Sequence, residues 1–286
     1  MFSDLNGKKK IIGLIHLLPM PGTPFYKEGN IQKMTDKALK DAEALQRGGA
    51  TGGLLQAIDS LVFPCGDECD YSRVATLAMI GSKVRDMVGP EFKLGVQIMF
   101  NCITPSLAVA KAIGADFTRC SALIGTTESI YGPVIANPLK VMEYREKIKA
   151  EGVEMVAEIS GYHFTTPGSI EEIQEMASSA MRVGAQCVEV YHPNFEENEN
   201  LVKAVKKVGR IKVPSREKGC VINSALEIPV MLGGGTDVAN CKERLKYADG
   251  AFVGAAFEDF EWGGSVKESC VKSYMEKVKE LENERL

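Results

Sequence analysis

The chain has 286 residues and a formal net charge of -4, with 45% hydrophobic and 25% charged residues. This composition is typical of a globular protein with enough apolar side chains to bury a large core. The acidic balance offers no positive field to attract nucleic acid or anionic lipid. We therefore expect no nucleic-acid partner.

The N-terminal segment carries a basic cluster followed by an apolar run from Ile11 to Leu18. Gly13 and His16 interrupt this run, and prolines follow it without a small-residue cleavage site, so it predicts a first strand and not an export signal. No window holds the roughly 20 uncharged apolar residues that span a bilayer. We expect a cytoplasmic protein without a membrane span.

The cysteine pattern agrees with that expectation. Without an export signal, the eight cysteines indicate reduced thiols and not a disulfide framework. Cys65 and Cys69 form a close pair, but no second close pair accompanies them, so a structural zinc site has little support. The sequence indicates no particular metal or cofactor.

Short apolar runs alternate with amphipathic stretches along the chain, which is the pattern of strands alternating with helices. We predict eight strands, in chain order: Lys10–His16, Thr51–Ile58, Lys93–Asn101, Asp116–Leu123, Glu154–His163, Gln186–His192, Ile228–Gly235 and Gly250–Phe257. Helical stretches between them, such as "DKALKDAEALQRGGA", end in a glycine shortly before the next strand. Glycine is favoured there because the residue after a helix often adopts the left-handed backbone conformation.

Eight such units in succession predict an α/β fold, a closed (β/α)8 TIM barrel forming a single domain over residues 1–286. An open doubly wound sheet is the alternative, but it would normally carry a glycine fingerprint after its first strand, where this chain has "HLLPMPG". Two segments exceed the simple repeat. We expect residues 124–138, after strand four, to form a lid or an interface, and the basic residues 206–227 to be mostly helical with a turn at Pro214.

The histidines supply the first candidate site. The chain has three, His16, His163 and His192, and all lie at predicted C-terminal strand ends, which face the reaction site in such barrels. Imidazole transfers protons near neutral pH or binds a metal. Two alternatives are that each ring merely hydrogen-bonds a loop carbonyl, and that the three together hold a metal ion.

Glycines supply the second candidate site. "LGGGTD", Leu232 to Asp237, follows strand seven, and "VGAAF", Val253 to Phe257, lies at the end of strand eight. Backbone amides at these positions bind a substrate phosphate in many barrels. We predict that the anion-binding residues are Gly233, Gly234, Gly235 and Gly254. The nearby "EDFE", Glu258 to Glu261, would oppose an anion, and a plain tight turn is the alternative.

Polar residues within the predicted strands complete the candidates. Arg119 could hold a carboxylate or phosphate, Glu158 could act as a general base, and Asn101 ends strand three. For Arg119 and Glu158, a salt bridge inside the barrel is the competing interpretation. Cys102 is expected to be a core residue rather than a nucleophile.

Several motifs together resemble the BtpA family. They are "IIGLIHLLPMPGTPFY", "DAEALQRGGATGGLL", "FNCITPSLAVAKAIGADFTR", "AEISGYH" and "NCKERLKYADGAFVGAAF", and they extend the resemblance from about Lys9 to about Phe257. The most specific part is the His-Leu-x-Pro-x-Pro-Gly segment, His16 to Gly22. The resemblance implies a barrel like those of the ribulose-phosphate-binding superfamily. It also implies either an enzyme of sugar metabolism or a photosystem I assembly factor.

The resemblance carries over to His16, Asn101 and His163, which match family motif positions. Other positions depart from the family pattern: Gln56 and Ala57 for Glu-Asn, Cys102 for Asp, Tyr162 for Lys, Tyr191 and His192 for Thr-Gly, and Glu258 for a lysine. These departures imply a different ligand or a lost activity.

The sequence therefore predicts an enzyme that acts on a small, anionic substrate, a phosphorylated sugar or related metabolite, by lyase or isomerase chemistry. His16 and His163 are the expected acid/base or orienting groups, assisted by Glu158 or Asn101. We expect Arg119, His192 and the four glycines to bind substrate. Homo-oligomerisation is compatible with such a barrel. The alternative is a non-catalytic assembly or regulatory factor with an altered barrel mouth.

Overall fold

The computed structural model describes residues 1–2, 8–59, 69–129, 132–161, 169–208, 211–215, 219–223 and 227–284, with the backbone alone for 211–215 and 219–223. The strands are β1 (Lys10–Leu17), β2 (Gly52–Ala57), β3 (Lys93–Ile98), β4 (Phe117–Cys120), β5 (Thr126–Ser129), β6 (Gly132–Ile135), β7 (Glu154–Ser160), β8 (Cys187–Val190), β9 (Ile211–Ser215), β10 (Gly219–Asn223), β11 (Val230–Leu232) and β12 (Gly250–Val253). The helices are α1 (Asn30–Gly48), α2 (Tyr71–Val88), α3 (Ile103–Ile113), α4 (Pro138–Lys147), α5 (Ile170–Arg182), α6 (Phe195–Lys206), α7 (Cys241–Arg244) and α8 (Glu268–Asn283).

Eight of these strands close into a barrel in the order β1, β12, β11, β8, β7, β4, β3, β2. Every neighbouring pair in the ring is parallel, and helices connect the strands around it. This confirms the predicted α/β barrel and excludes the open doubly wound sheet. The closure makes β1 and β12 neighbours, although they lie at opposite ends of the sequence.

Alternation along each strand divides its side chains between two environments. On β1, Ile11 and Ile15 belong to the large core between strands and helices, whereas Ile12 belongs to a separate cluster inside the barrel. The other strand residues of the inner cluster are Leu54, Phe117, Val156, Cys187, Met231 and Phe252. They fill the N-terminal half of the barrel with apolar side chains.

Two or four residues further along the same strands, the inward positions become polar. This inner polar layer is made of His16, Gln56, Gln97, Arg119, Glu158 and Glu189, all of them buried. Because the strands are parallel, the layer lies toward the C-terminal ends, the face where barrels of this class place their chemistry. The period-2 pattern therefore carries the polar groups to the mouth.

The first inserted segment forms an antiparallel hairpin of β5 and β6 after β4. Val134 of the hairpin packs with Met99, Phe100 and Ala122, so the hairpin rests on the loops that follow β3 and β4. Whether it acts as a lid or an interface remains a prediction.

The second inserted segment corrects the sequence prediction. We expected mostly helix with a turn at Pro214, but β9 and β10 form an antiparallel hairpin in which Pro214 is opposite Cys220. Alternation of Ile211, Val213, Val221 and other residues favours strands, and proline disrupts the interior of a helix. The hairpin lies between α6 and β11 in the chain, and β9 lies beside α5.

Candidate functional site at the barrel mouth

A cavity of about 580 Å³ opens at the mouth of the barrel. Residues from β1, β2, β4 and β12 and from the segments after β2, β3, β11 and β12 line it. The lining includes His16, Gln56, Arg119, the glycines 233–235 and 254, and the aromatic rings of Phe260 and Trp262. The cavity therefore brings together six of the predicted site residues.

His16 is paired with a buried carboxylate. Its Nδ1 lies 2.7 Å from Oε1 of Glu258, and the residues are 3% and 0% exposed. The other carboxylate oxygen accepts a hydrogen bond from the backbone N–H of Gly263 at 3.1 Å. With Nδ1 engaged, Nε2 is the ring nitrogen available to a molecule in the cavity. A carboxylate that fixes one ring nitrogen sets the imidazole's orientation and tautomer.

A charged group behind His16 holds its strand to the neighbouring helix and loop. Lys37 Nζ donates to the backbone oxygen of His16 at 3.0 Å and to Asp41 Oδ2 at 2.6 Å. Asp41 Oδ1 accepts from the backbone N–H of Val266 at 3.0 Å. Burial raises the pKa of Asp41, against the lowering effect of the Lys37 charge. These contacts fix the segment after β12 against α1 and the end of β1.

Arg119 lies at the floor of the cavity between two buried carboxylates. Its Nε donates to Glu189 Oε2 at 2.6 Å, its Nη2 donates to Glu189 Oε1, and Nη2 is 3.9 Å from Glu158 Oε2. Burial alone would lower the Arg119 pKa, but the charges of Glu189 and Glu158 raise it. The predicted barrel salt bridge is therefore present. Nη1 has no hydrogen bond to the described residues and remains for a ligand.

Two glycine segments form one wall of the cavity. Gly235 has φ +67°, and a Cβ there would collide with the ring of Tyr191; a Cβ at Gly254 would lie 3.2 Å from His16 Cε1. Within the described residues, the backbone N–H groups of Gly234, Gly235, Ala255 and Ala256 donate no hydrogen bond. The wall thus combines close backbone approach with uncommitted donors, which suits an anion.

Tyr274 of α8 supports both glycine segments from behind. Its hydroxyl donates to Thr236 Oγ1 at 2.9 Å, and its ring packs edge-on against Phe257 with centroids 5.3 Å apart. Burial raises the Tyr274 pKa, so the phenol stays protonated. One buried side chain therefore sets the relative position of the loops that follow β11 and β12.

The structure does not bring all predicted residues to the cavity. Asn101 bridges loops instead: its Oδ1 accepts from Ala122 N at 2.8 Å. His192 Nδ1 accepts from Asn194 N at 3.2 Å near the start of α6, and His192 is absent from the cavity lining. Glu158 is fully buried beside Arg119 and does not line the cavity. His163 lies outside the described residues.

Three residues of the site were missed as candidates: Gln56 and Trp262, which line the cavity, and Glu258, which is buried behind its lining. The sequence analysis treated Glu258 as a carboxylate opposing an anion and as a replacement for a family lysine, whereas it is the partner of His16. The signal was available, because a closed barrel makes the first and last strands neighbours and Glu258 follows the last strand shortly. Gln56 shares the inward face of β2 with Leu54, and its Nε2 donates to Gln97 Oε1 at 2.7 Å.

In the described parts of the chain, no group of three or more His, Cys, Asp or Glu side chains is arranged to hold a metal ion. Cys65 of the close cysteine pair lies outside those parts. None of the described helices combines the length and apolar character needed to cross a lipid bilayer.

The closed ring of parallel strands, with helices between them and a cavity at the C-terminal end of the strands, defines a (β/α)8 barrel. The chain belongs to the BtpA family, whose model matches residues 7–280. This confirms the resemblance that the sequence motifs indicated.

Curated relatives match over most of their length. An uncharacterized protein of Archaeoglobus fulgidus is 29% identical, with 86% of this chain and 90% of the relative covered. The photosystem I biogenesis protein BtpA of Synechocystis is 22% identical, with 90% and 83% covered. An uncharacterized mitochondrial protein of Caenorhabditis elegans is 25% identical, with 97% and 96% covered.

Solved structures match in fold. Thiamine phosphate pyrophosphorylase from Pyrococcus furiosus has a TM-score of 0.55 and 16% identity, with 97% of this chain and 99% of that chain covered. Dihydropteroate synthase from Xanthomonas albilineans has a TM-score of 0.59 and 10% identity, with 97% and 92% covered. At these identities the likeness extends to the barrel fold alone.

Proposed function

We propose that this protein is an enzyme that performs acid/base chemistry on a small phosphorylated metabolite bound at the barrel mouth. The observation that carries the proposal is the buried His16–Glu258 pair on the wall of a cavity whose glycine segments present unused N–H groups. A histidine oriented by a carboxylate is a common general acid or base, and glycine amides at this place in a barrel suit a phosphate.

Each group has a role in this proposal. Nε2 of His16 takes a proton from the substrate or returns it, and Glu258 fixes the ring and stabilises the imidazolium that forms. The N–H groups of residues 234, 235, 255 and 256 hold the phosphate, with Arg119 Nη1 beside them. Glu158 and Asn101 are positioning residues, which hold Arg119 and the loop after β3. Such a reaction would be that of a lyase or isomerase.

The carboxylates of the "EDFE" segment oppose this anion less than their number suggests. Glu258 is paired with His16, and Asp259 and Glu261 are exposed, where solvent screens their charge. The open cavity also supports the enzyme over an assembly or regulatory factor with a closed mouth. The Synechocystis relative is named as a photosystem I biogenesis protein. For this reason a non-catalytic assembly or regulatory factor is kept as an outcome of the test.

A thermal-shift screen tests the phosphate site directly. The purified protein is heated with inorganic phosphate, with sugar phosphates and other phosphate esters, and with divalent metal ions. A ligand at about 100 times its Kd stabilises the folded state by roughly 2.7 kcal/mol, which corresponds to a rise in Tm of about 5 °C for a chain of this size. We expect at least one phosphate ester to reach this value.

Two glycine variants make the screen specific. Gly235→Ala moves the loop because the added Cβ meets Tyr191, whereas Gly49→Ala adds a Cβ at a similar positive φ, +87°, with nothing within 4 Å. Both lower the Tm of the free protein, but only Gly235→Ala should lose the ligand-induced rise. No rise with any phosphate compound, or an equal rise in both variants, would contradict the phosphate site and favour the non-catalytic class.

A further inference from the structure

The cavity has a second wall that a phosphate does not use. Phe260 and Trp262 form this aromatic wall, 70% and 50% exposed, and the cavity lining also includes the apolar side chains of Leu14, Ile58 and Met99. Exposed aromatic rings at the rim of a concave site often mark a ligand surface. The two walls therefore differ: one offers backbone donors, and the other offers rings and methyl groups.

The loop that presents the aromatic wall has a defined backbone. Phe260 N donates to Ala255 O at 2.6 Å, and Glu261 N donates to Glu258 O at 3.0 Å. Asp259 and Phe260 have φ +54° and +60°, a left-handed conformation that is costly for bulky residues and that clusters at ligand sites. A strained backbone and an exposed apolar ring are two features that ligand-contacting loops share.

Trp262 also lies beside the proposed acid/base group. The centroids of its ring and that of His16 are 5.6 Å apart, with the planes tilted by 41°. A molecule packed against the indole would therefore lie beside the His16 ring. The aromatic wall and the His16–Glu258 pair therefore serve one occupant.

Four polar side chains of the lining are already engaged within the protein; one is Asp237, whose Oδ1 accepts from the backbone N–H groups of Ala239 and Asn240. Gln56 Nε2 is committed to Gln97, Nε and Nη2 of Arg119 are committed to Glu189, and Thr236 Oγ1 already accepts from Tyr274. Sugar hydroxyls that lose water beside these engaged groups would add little affinity of their own. A planar apolar body would instead gain from burial against the rings.

We infer that the substrate class is a phosphate monoester carrying an aromatic or heteroaromatic ring, in place of the sugar phosphate that the sequence suggested. This inference rests on the proposed phosphate site, and it adds that the ring packs against Trp262 while the phosphate meets residues 234–235 and 255–256. Simple aryl phosphates and nucleoside monophosphates share this chemistry, and the test separates them.

The single tryptophan of the chain makes the site directly observable. Phenyl phosphate, uridine monophosphate, ribose 5-phosphate and glycerol 3-phosphate are titrated into the full chain, with Kd from calorimetry and site occupancy from Trp262 fluorescence excited at a wavelength that the ligands do not absorb. We expect at least one ring compound to bind at least tenfold more tightly than both non-aromatic esters and to change the fluorescence. Whichever of phenyl phosphate and uridine monophosphate has the lower Kd shows whether the ligand is an aryl phosphate or a nucleoside monophosphate.

Variants separate stacking from folding. Trp262→Leu should reduce the preference for the ring compound to less than threefold, and Trp262→Phe should retain most of it. Tyr71→Leu removes a 91% exposed aromatic residue outside the cavity and should leave every Kd unchanged. Ribose 5-phosphate binding as tightly as both ring compounds would overturn the ring assignment while leaving the phosphate site intact. Binding of none of the four would overturn the proposed function itself.

Discussion

The carboxylate of Glu258 changes what a histidine at the end of β1 can do. An ionised carboxylate buried without a partner is very costly, so Glu258 and His16 stabilise each other in a place where neither would be stable alone. Removing one partner leaves the other unsatisfied, which is more harmful than losing the pair's net attraction. The conformational restriction that Pro19 and Pro21 impose on the following loop serves the same end by limiting movement of the chain beyond His16.

Cys69 provides a prediction at the same scale. Its pKa is lowered, first by a hydrogen bond from the Cys102 thiol and then by the charge and hydrogen bond of Arg73, whose Nη1 lies 3.8 Å from the sulfur. A lowered pKa means that the thiolate is present at lower pH. The alkylation rate of Cys69, followed by peptide mass spectrometry, should therefore rise with pH to a midpoint below that of the same thiol in the urea-unfolded chain.

Cys102→Ala is the control for this prediction. It removes the leading cause of the shift and leaves Arg73 in place, so the midpoint should move upward. A midpoint in the folded, unmodified protein at or above that of the urea-unfolded chain would show that the Cys102 and Arg73 contacts do not act on Cys69.

At the scale of elements, the sequence predicted where strands begin better than where they end. The predicted starts at Lys10, Lys93, Glu154 and Gly250 agree with β1, β3, β7 and β12. The first strand was predicted to end at His16, one residue before the end of β1 at Leu17, but the other predicted ends extend too far, as at strand three, where β3 stops at Ile98. Met99 and Phe100 continue the apolar run but pack under the β5–β6 hairpin. A run of apolar residues indicates which residues are buried. Because the chain stays buried after the last hydrogen bond of the strand, the run overestimates the strand's length.

The candidate site was predictable only where a single strand determined it. Period-2 alternation places His16 on the inward face, and the glycine segments follow directly from the barrel pattern. The partner of His16 depends on ring closure, and the engagement of Arg119 by Glu189 depends on a contact across strands 70 positions apart. His192 follows β8 by two residues, but its Nδ1 accepts a hydrogen bond from Asn194 N at the start of α6. Local pattern cannot distinguish these outcomes.

At the scale of the whole molecule, Phe2 helps to fill the N-terminal half of the barrel interior. Its ring lies 5.2 Å from that of Phe117 in an edge-on arrangement, and it packs in the inner apolar cluster with Ile12 and Phe252. The inner polar layer lies next to this cluster, toward the mouth. Its buried charges are stable only while their partners stay in place. The apolar filling therefore supports the site as well as the fold.

Phe2→Ala tests this support. The residue is 1% exposed, and phenylalanine to alanine in a core costs about 3–5 kcal/mol, so the free energy of unfolding from urea denaturation should fall by that amount. Phe25→Ala removes a ring that is 51% exposed and should cost less than about 1 kcal/mol. Equal losses in the two variants would contradict the assignment of Phe2 to the barrel core.

The central claim is that His16 and Glu258 move a proton on a molecule in the mouth cavity. The most direct measurement is proton NMR in D2O of each phosphate ester that stabilises the protein, following exchange of its carbon-bound hydrogens. We expect one ester to exchange with the unmodified protein, with a loss of about 100-fold or more in His16→Asn and a smaller loss in Glu258→Gln. Glu261→Gln, an exposed glutamate in the same loop, should exchange normally. Exchange that survives in His16→Asn, or that no bound ester undergoes, would contradict the account.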